Sequence, residues 1–259
     1  MNEYYFLFAI AFLWTIFATM QDIKKREVSN WLNFSLIAVA LAYRAFFSLS
    51  EKNAFFFLSG VLGFAVFFVL AHAFYYSKTF AGGDAKLLMA FGAILPYKNY
   101  FDIIPTSLVF IFILFLVGAI YSLLYSIFIV SKNKKKFGKE FSSLFKKTKY
   151  FIFVSLILSL VSFFLISKNP LFAAPAILLL IPFVYIYTKT IDKCMLVLLP
   201  SSKLTEGDWI EQDIKFGKHL VKKTVHGLTN SDIKLLKKHN KKVLVKQGVP
   251  FVPAFLIFF

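Results

Sequence analysis

Runs of about 20 apolar residues recur along this chain, and they decide what it can fold into. A helix needs about 20 such residues to cross the roughly 30 Å hydrocarbon core of a bilayer. The runs lie near 2–20, 31–49, 53–76, 103–131, 150–166 and 170–188. Hydrophobic residues make up 59% of the 259 residues, which is more than a soluble domain of this length can bury. The sequence therefore predicts an all-α polytopic membrane protein.

Two further apolar segments, Asp84–Pro96 and Val249–Phe259, are shorter. Each is too short to cross a bilayer alone, but a helix surrounded by other helices can cross with fewer residues. With both of them, we expect about eight transmembrane helices. The first run, 2–20, lacks a basic start and a small-residue cleavage site, so we expect a retained span and not a signal peptide.

The basic residues lie between the apolar runs, and the formal net charge is +17. If the N-terminus is outside, most of the 30 Lys and Arg residues fall in four segments on the cytoplasmic side: 21–30, 77–81, 132–149 and 189–247. Lys and Arg accumulate in cytoplasmic loops, so this orientation is the one we expect. It requires a crossing by the short segment 84–96. Topology thus accounts for the positive charge, and we expect the lipid bilayer and not a nucleic acid as partner.

One polar stretch, 190–247, interrupts the apolar pattern. The stretch Thr229–Asp232 offers an N-cap for a short helix that runs to about Asn240, and the glycine-containing stretch before it is typical of short strands and turns. We therefore expect a transmembrane helical core over 1–189 and a small cytoplasmic α+β insert over 190–247. A C-terminal membrane segment would follow over 248–259.

Few acidic residues lie inside the apolar runs or at their edges, where charge is costly and often functional. Asp22 follows the first run, and Asp84 opens the short segment 84–96. Both fall at the predicted cytoplasmic boundary. Two close carboxylates cannot both ionise, so such a pair shares a proton. The ionised member can then deprotonate a water while the protonated member polarises a peptide carbonyl.

Simpler interpretations stay open on position alone. Asp22 also fits an ion-paired residue at a helix end, beside Lys24, Lys25 and Arg26. Asp84 also fits a helix N-cap, because Asp accepts hydrogen bonds from free backbone N–H groups.

The residues around Asp84 also allow more than one role. Gly82 and Gly83 fit a simple turn, or a loop that lets a substrate backbone approach Asp84 closely. Lys86 can orient Asp84, offset its charge, or extend toward lipid headgroups. Asp192, at the inner end of the seventh predicted span, is a competing candidate for the pair.

No metal or other cofactor is expected. The four histidines show no ligand spacing, and the single cysteine, Cys194, excludes a Cys-rich zinc site.

Two further acidic residues, Asp208 and Asp213, lie in the polar stretch 190–247 and fit surface positions.

Two motifs surround the candidate pair. Residues 80–88, Phe-Ala-Gly-Gly-Asp-Ala-Lys-Leu-Leu, resemble the Gly-x-Gly-Asp-x-Lys-Leu signature of the type IV prepilin peptidases, which are GxGD-type membrane aspartyl proteases. Residues 22–30, Asp-Ile-Lys-Lys-Arg-Glu-Val-Ser-Asn, resemble the first-aspartate region of the same family. The order is also similar, with one aspartate after span one and the other before span four.

The resemblance is to the archaeal branch, which processes prepilins and prearchaellins (preflagellins). No Cys-x-x-Cys region precedes the first span, and residues 248–255, Gly-Val-Pro-Phe-Val-Pro-Ala-Phe, look like the C-terminal region of archaeal members. The resemblance covers most of the chain and is most specific at 21–31 and 81–89. Two positions differ: Ala81 replaces the first glycine of the signature, and Ser29 replaces the proline of an Ile-Pro-Asn turn. We expect activity to survive at Ala81, because alanine keeps the loop small, and we expect a looser turn at Ser29, which lacks the fixed φ of proline.

The resemblance implies a membrane aspartic endopeptidase in which Asp22 and Asp84 are catalytic and Gly82, Gly83 and Lys86 belong to the substrate-approach loop. Its substrates would be prepilin or prearchaellin precursors, cut between a basic leader and a hydrophobic helix at the cytoplasmic face of the plasma membrane.

Two other functions stay open from the residues themselves. A membrane transporter or proton pathway can also use paired carboxylates. A non-enzymatic scaffold for pilus or archaellum assembly is the third reading. Transporters typically show related halves and polar residues near mid-membrane, and the sequence shows neither.

Overall fold

The computed structural model describes residues 2–166, 174–216, 219–224, 227–240 and 242–259. Within these ranges the chain forms ten α-helices and four short strands. The helices are α1 (Asn2–Lys25), α2 (Asn30–Ser50), α3 (Ala54–Tyr76), α4 (Gly82–Ile94), α5 (Ile103–Lys132), α6 (Lys134–Lys147), α7 (Lys149–Ile166), α8 (Ala174–Cys194), α9 (Asn230–Lys238) and α10 (Val252–Ile257). The strands are β1 (Leu196–Pro200), β2 (Ile214–Phe216), β3 (His219–Val221) and β4 (Lys242–Lys246).

Four helical segments within these ranges are long and apolar enough to cross a membrane: Glu3–Lys25, Asn30–Ser50, Ala54–Tyr76 and Tyr100–Lys132. They agree with the prediction of a mostly helical, multi-pass membrane protein. The predicted count of eight crossings is not confirmed. Residues 170–173, at the start of the predicted seventh span, lie outside the described residues.

Both ends of the chain differ from their predicted elements. Helix α1 continues through Asp22 to Lys25, so Asp22 lies in the last helical turn and not behind it. Helix α10 has only six residues. At about 1.5 Å per residue such a helix cannot cross a bilayer, so the predicted terminal span is not found.

Helix α6 occupies a segment that was predicted only as a basic loop. Phe137, Phe141 and Phe145 recur every four residues, so their rings stack along one face of the helix. Lysines occupy most of the remaining positions. This amphipathic pattern is typical of a helix at a membrane–water interface. The prediction of a loop rested on the lysines alone and did not use the four-residue spacing of the phenylalanines, which indicates a helix.

The chain divides into two compact units. The first unit combines residues 1–123 with 248–259, and the second contains residues 124–247. The predicted functional division at residues 189 and 247 stays a prediction.

The second unit contains the predicted α+β segment. Strand β1 pairs antiparallel with β4, and β2 pairs antiparallel with β3. Helix α9 begins after Thr229, whose side chain accepts a hydrogen bond from the backbone N–H of Asp232, and it ends at Lys238. The predicted N-cap and the short helix are therefore confirmed.

Helix α4 is the most deeply buried helix of the first unit. All of its residues from Leu87 to Ile94 are buried. It packs closely on α3 at Gly63 and Gly92, where a Cβ atom on either glycine would collide with the carbonyl oxygen of the other. This close approach allows α4, about 20 Å long, to lie between longer helices.

Arg44 supplies the hydrogen bonds that the C-terminal end of α4 needs. The side chain is fully buried and donates to the carbonyl oxygens of Ala93 (2.7 Å), Ile94 (3.3 Å) and Leu95 (2.7 Å). It also donates to the carbonyl oxygen of Phe56 at 2.7 Å. The last carbonyl groups of a helix have no partner within it, and an unpaired carbonyl in an apolar core is costly. Arg44 therefore allows α4 to end inside the first unit.

We predict that Arg44→Met lowers the free energy of unfolding by about 3–5 kcal/mol, because it leaves several buried carbonyl groups unpaired. Unfolding of the purified chain by heat or by SDS in detergent measures this. Lys98→Met removes an exposed cation and should change stability by less than about 0.5 kcal/mol. Equal effects of the two substitutions would contradict the capping role of Arg44.

Candidate active site

Asp22 and Asp84 lie close together inside the first unit. Each residue is only 7% exposed, and the two carboxylates are near enough to interact electrostatically. Asp22 comes from the last turn of α1, and Asp84 comes from the first turn of α4. The structure therefore brings together the two residues that the sequence singled out as a pair.

The Asp22 carboxylate accepts a hydrogen bond from a residue far away in the sequence. Its Oδ2 atom receives the backbone N–H of Val252 at 3.1 Å. Arg26, one turn after Asp22, has a positive φ of 59° and ends α1. Its guanidinium donates to the carbonyl oxygen of Gly248. Asp22 is therefore a buried residue with a specific donor, and not an exposed residue at a solvated helix end.

The Asp84 side chain accepts a hydrogen bond from the start of its own helix. Helix α4 begins at Gly82, and Ala81 occupies the N-cap position. The Asp84 Oδ2 atom accepts the backbone N–H of Ala81 at 3.2 Å. Asp84 thus caps α4 from the third helical position and not from the N-cap position that the sequence had also allowed.

The two glycines before Asp84 have different surroundings. A Cβ atom at Gly83 would lie 3.2 Å from the Cβ of Val28, whereas a Cβ at Gly82 would be no nearer than 3.8 Å to Tyr75. Gly83 therefore permits a close contact with the turn between α1 and α2. Ala81 has φ −73° and ψ 164°, which any residue adopts, so alanine fits where the family signature has glycine.

Polar side chains join the two motifs to each other. Asn33 donates from Nδ2 to the carbonyl oxygen of Gly83 at 3.4 Å, and Lys86 donates from Nζ to Oδ1 of Asn30. Lys86 therefore contacts the first motif. Asn33 is fully buried near the start of α2. Asn33 was not among the predicted site residues, although an amide inside an apolar run was the available signal.

A further side chain holds the turn between α1 and α2. Oε1 of Gln21 accepts both the backbone N–H and the hydroxyl of Ser29, at 2.9 and 2.7 Å. Ser29 stands where the family motif has a proline, which fixes φ through its ring. In this chain the turn is held by two hydrogen bonds instead.

The other candidate acids lie in the second unit. Asp192 forms an ion pair with Lys246 at 2.8 Å. Asp208 accepts the backbone N–H of Thr205, and burial raises the pKa of its carboxyl. Asp213 accepts a backbone N–H within the same unit. None of the three belongs to the unit that contains Asp22 and Asp84.

Within the described ranges, no group of three or more His, Cys, Asp or Glu side chains is placed to hold a metal ion. His226 lies outside these ranges.

The region that carries both aspartates has relatives of known family. Residues 9–123 match the model of the type IV leader peptidase family. The match includes both motifs, at 22–30 and at 80–88. This part of the chain is therefore similar to type IV leader peptidases. The Gly248–Phe259 segment, which donates to Asp22, lies outside this match.

Three proteins similar to this chain come from archaea. A preflagellin peptidase of Methanococcus voltae is 29% identical over 89 residues, which cover 34% of this chain and 38% of that protein. A preflagellin peptidase of Methanocaldococcus jannaschii is 28% identical over 92 residues, covering 36% and 39%. A prepilin peptidase of Methanothermobacter thermautotrophicus is 30% identical over 89 residues, covering 34% and 23%. The chain therefore spans less than half the length of each of these relatives. No solved structure matches it significantly.

We predict that Gly83→Ala destabilises the chain more than Gly82→Ala, because only the first substitution crowds Val28. Both replacements reduce backbone entropy in the unfolded chain by similar amounts, so their difference reports the contact. Thermal unfolding of the purified variants measures this difference. Adding Val28→Ala to Gly83→Ala should recover most of the loss. A double variant no more stable than Gly83→Ala alone would contradict the contact.

Proposed function

We propose that this chain is a membrane aspartic endopeptidase that removes the basic leader peptide from type IV prepilin-like or preflagellin precursors. One observation carries the proposal. Two buried carboxylates, one from each family motif, lie within electrostatic reach of each other. Relatives named preflagellin and prepilin peptidases support the same activity.

The pair suits hydrolysis by an activated water. The ionised carboxylate takes a proton from water as the water oxygen attacks the peptide carbonyl carbon, and the protonated carboxylate gives its proton to the carbonyl oxygen. A gem-diol forms. Its collapse breaks the C–N bond, returns a hydroxyl proton to one carboxylate, and moves the proton taken from water to the leaving amine. The pair ends as it began, with one shared proton and no covalent intermediate.

The position of the pair favours a protease over a proton pathway. Both aspartates lie at helix ends, where α1 finishes and α4 starts. Beyond Asp84, α4 is buried among apolar side chains, and its other end is closed by Arg44. A proton pathway needs polar groups through the membrane core, whereas a protease needs only one face to be accessible.

The proposed substrate has two chemically different parts. A basic leader would remain in the cytosol, and an apolar helix would lie in the bilayer beside the apolar helices of the first unit. The scissile bond between them would then meet the aspartate pair at the membrane boundary. We propose an orientation with the N-terminus outside and the site at the cytoplasmic face, because cytoplasmic loops accumulate Lys and Arg.

The test is cleavage of a peptide that joins a basic leader to an apolar helix, by the full chain reconstituted in lipid. Asp22→Asn and Asp84→Asn preserve side-chain size and should each lower the cleavage rate at least about a hundredfold. Asp192→Asn, in the other unit, should leave the rate within about twofold, because that carboxylate pairs with Lys246 at a surface position.

Each alternative result has a distinct meaning. Cleavage that persists in Asp22→Asn or in Asp84→Asn contradicts the aspartic mechanism. Loss of cleavage in Asp192→Asn alone would move the site to the second unit. Absence of cleavage by the wild-type chain, with a folded protein and several leader sequences, contradicts the proposed activity.

A further inference from the structure

The segment Gly248–Phe259 contacts the Asp22 half of the pair directly. The backbone N–H of Val252, the first residue of α10, donates to Oδ2 of Asp22 across 230 residues of sequence. Val252 is fully buried. A buried carboxylate that loses its donor is left without a hydrogen-bond partner at that oxygen, so this donor restricts where the Asp22 carboxylate points.

The same segment also contacts the turn that precedes Asp84. The ring of Phe251 packs on the ring of Phe80, with the centroids 5.0 Å apart. The next residue after Phe80 is Ala81, whose backbone N–H donates a hydrogen bond to the Asp84 carboxylate. Phe255 packs on Phe91 of α4, with centroids 5.4 Å apart. One short segment therefore touches both elements that carry the catalytic carboxylates.

The segment is held firmly in this position. Arg26 donates from its guanidinium to the carbonyl oxygen of Gly248. Phe251 fills the space beside Gly118, where any Cβ atom would collide with its ring. Pro250 and Pro253 fix their own φ angles on either side of Val252. The backbone N–H at position 252 is thus placed by its neighbours on both sides.

We propose that the backbone N–H of Val252 is the positioning group that aims the Asp22 carboxylate at Asp84, and that the C-terminal segment thereby completes the active site. This inference rests on the proposed function. An unrestrained Asp22 side chain would rotate among several rotamers, and small misplacements of a catalytic group lower the rate substantially. The rate of hydrolysis therefore depends on a backbone hydrogen, which no substitution other than proline removes, and proline also changes the side chain and fixes φ.

A backbone ester tests the proposal with little other change. Incorporating the α-hydroxy analogue of valine at position 252 by nonsense suppression replaces the N–H by oxygen and keeps the side chain. The matched control is the α-hydroxy analogue of alanine at position 254, whose N–H donates to the carbonyl oxygen of Phe251 at 2.9 Å. Both esters remove one backbone donor from the same short helix, but only the first removes the donor to Asp22.

The two esters should differ mainly in turnover. We expect the ester at 252 to lower kcat by roughly tenfold to a hundredfold, with KM within about twofold, because the substrate still binds while Asp22 is misaligned. The ester at 254 should keep most of its kcat. Both should stay folded at the assay temperature, with the larger fall in the thermal unfolding midpoint at 252, because hydrogen bonds to charged groups contribute more.

A spectroscopic readout separates this inference from the proposed function. The infrared difference between the wild type and Asp22→Asn isolates the Asp22 carboxyl band. That band should shift in the ester at 252 and stay in place in the ester at 254, whether or not any peptide is cleaved. An unshifted band, equal kcat for the two esters, or a higher kcat at 252 would each overturn the positioning role. A higher kcat would mean that the segment blocks the site.

Discussion

Helix α4 has only 13 residues and is buried along almost its whole length, so both of its ends must find hydrogen-bond partners inside the first unit. Arg44 supplies the donors at the C-terminal end. At the N-terminal end, the Asp84 carboxylate accepts the N–H of Ala81. The residue that satisfies the start of the helix is therefore also the residue that the proposed chemistry needs. The buried Asp84 carboxylate is tolerated here because it also accepts a backbone hydrogen bond at the start of α4.

The Asp22 carboxylate is held by a hydrogen bond from a distant part of the chain. Asp22 belongs to the last turn of α1, and its donor comes from the opposite end of the chain, at Val252. The Gly83 contact with Val28 and the Asn33 bond to Gly83 then bring the two motifs together. In an apolar surrounding, the electrostatic effect of each carboxylate on the other is stronger than in water. Helix ends, one close glycine contact and one distant donor thus produce a pair suited to sharing a proton.

Features that depend on a local sequence pattern were predicted from the sequence, whereas features that depend on contacts between distant residues were not. Apolar length predicted α2 and α3 to within about one residue at each end, and the capping stretch Thr229–Asp232 predicted α9. The pair Asp22 and Asp84 followed from two motifs. Three features were missed because no local pattern encodes them: the burial of Arg44 against the end of α4, the donor from Val252, and the membership of 248–259 in the first unit.

The central claim is that Asp22 and Asp84 face each other as one site, and thiol cross-linking in membranes tests it directly. The single native cysteine is first replaced by Cys194→Ser. Asp22→Cys combined with Asp84→Cys should then be linked by a short bifunctional thiol reagent, as read by mass spectrometry. Asp22→Cys with Asp102→Cys should not be linked, because Asp102 follows the far end of α4, about 20 Å away along the helix. Failure of the first pair to link, or equal linking of both pairs, would contradict the account.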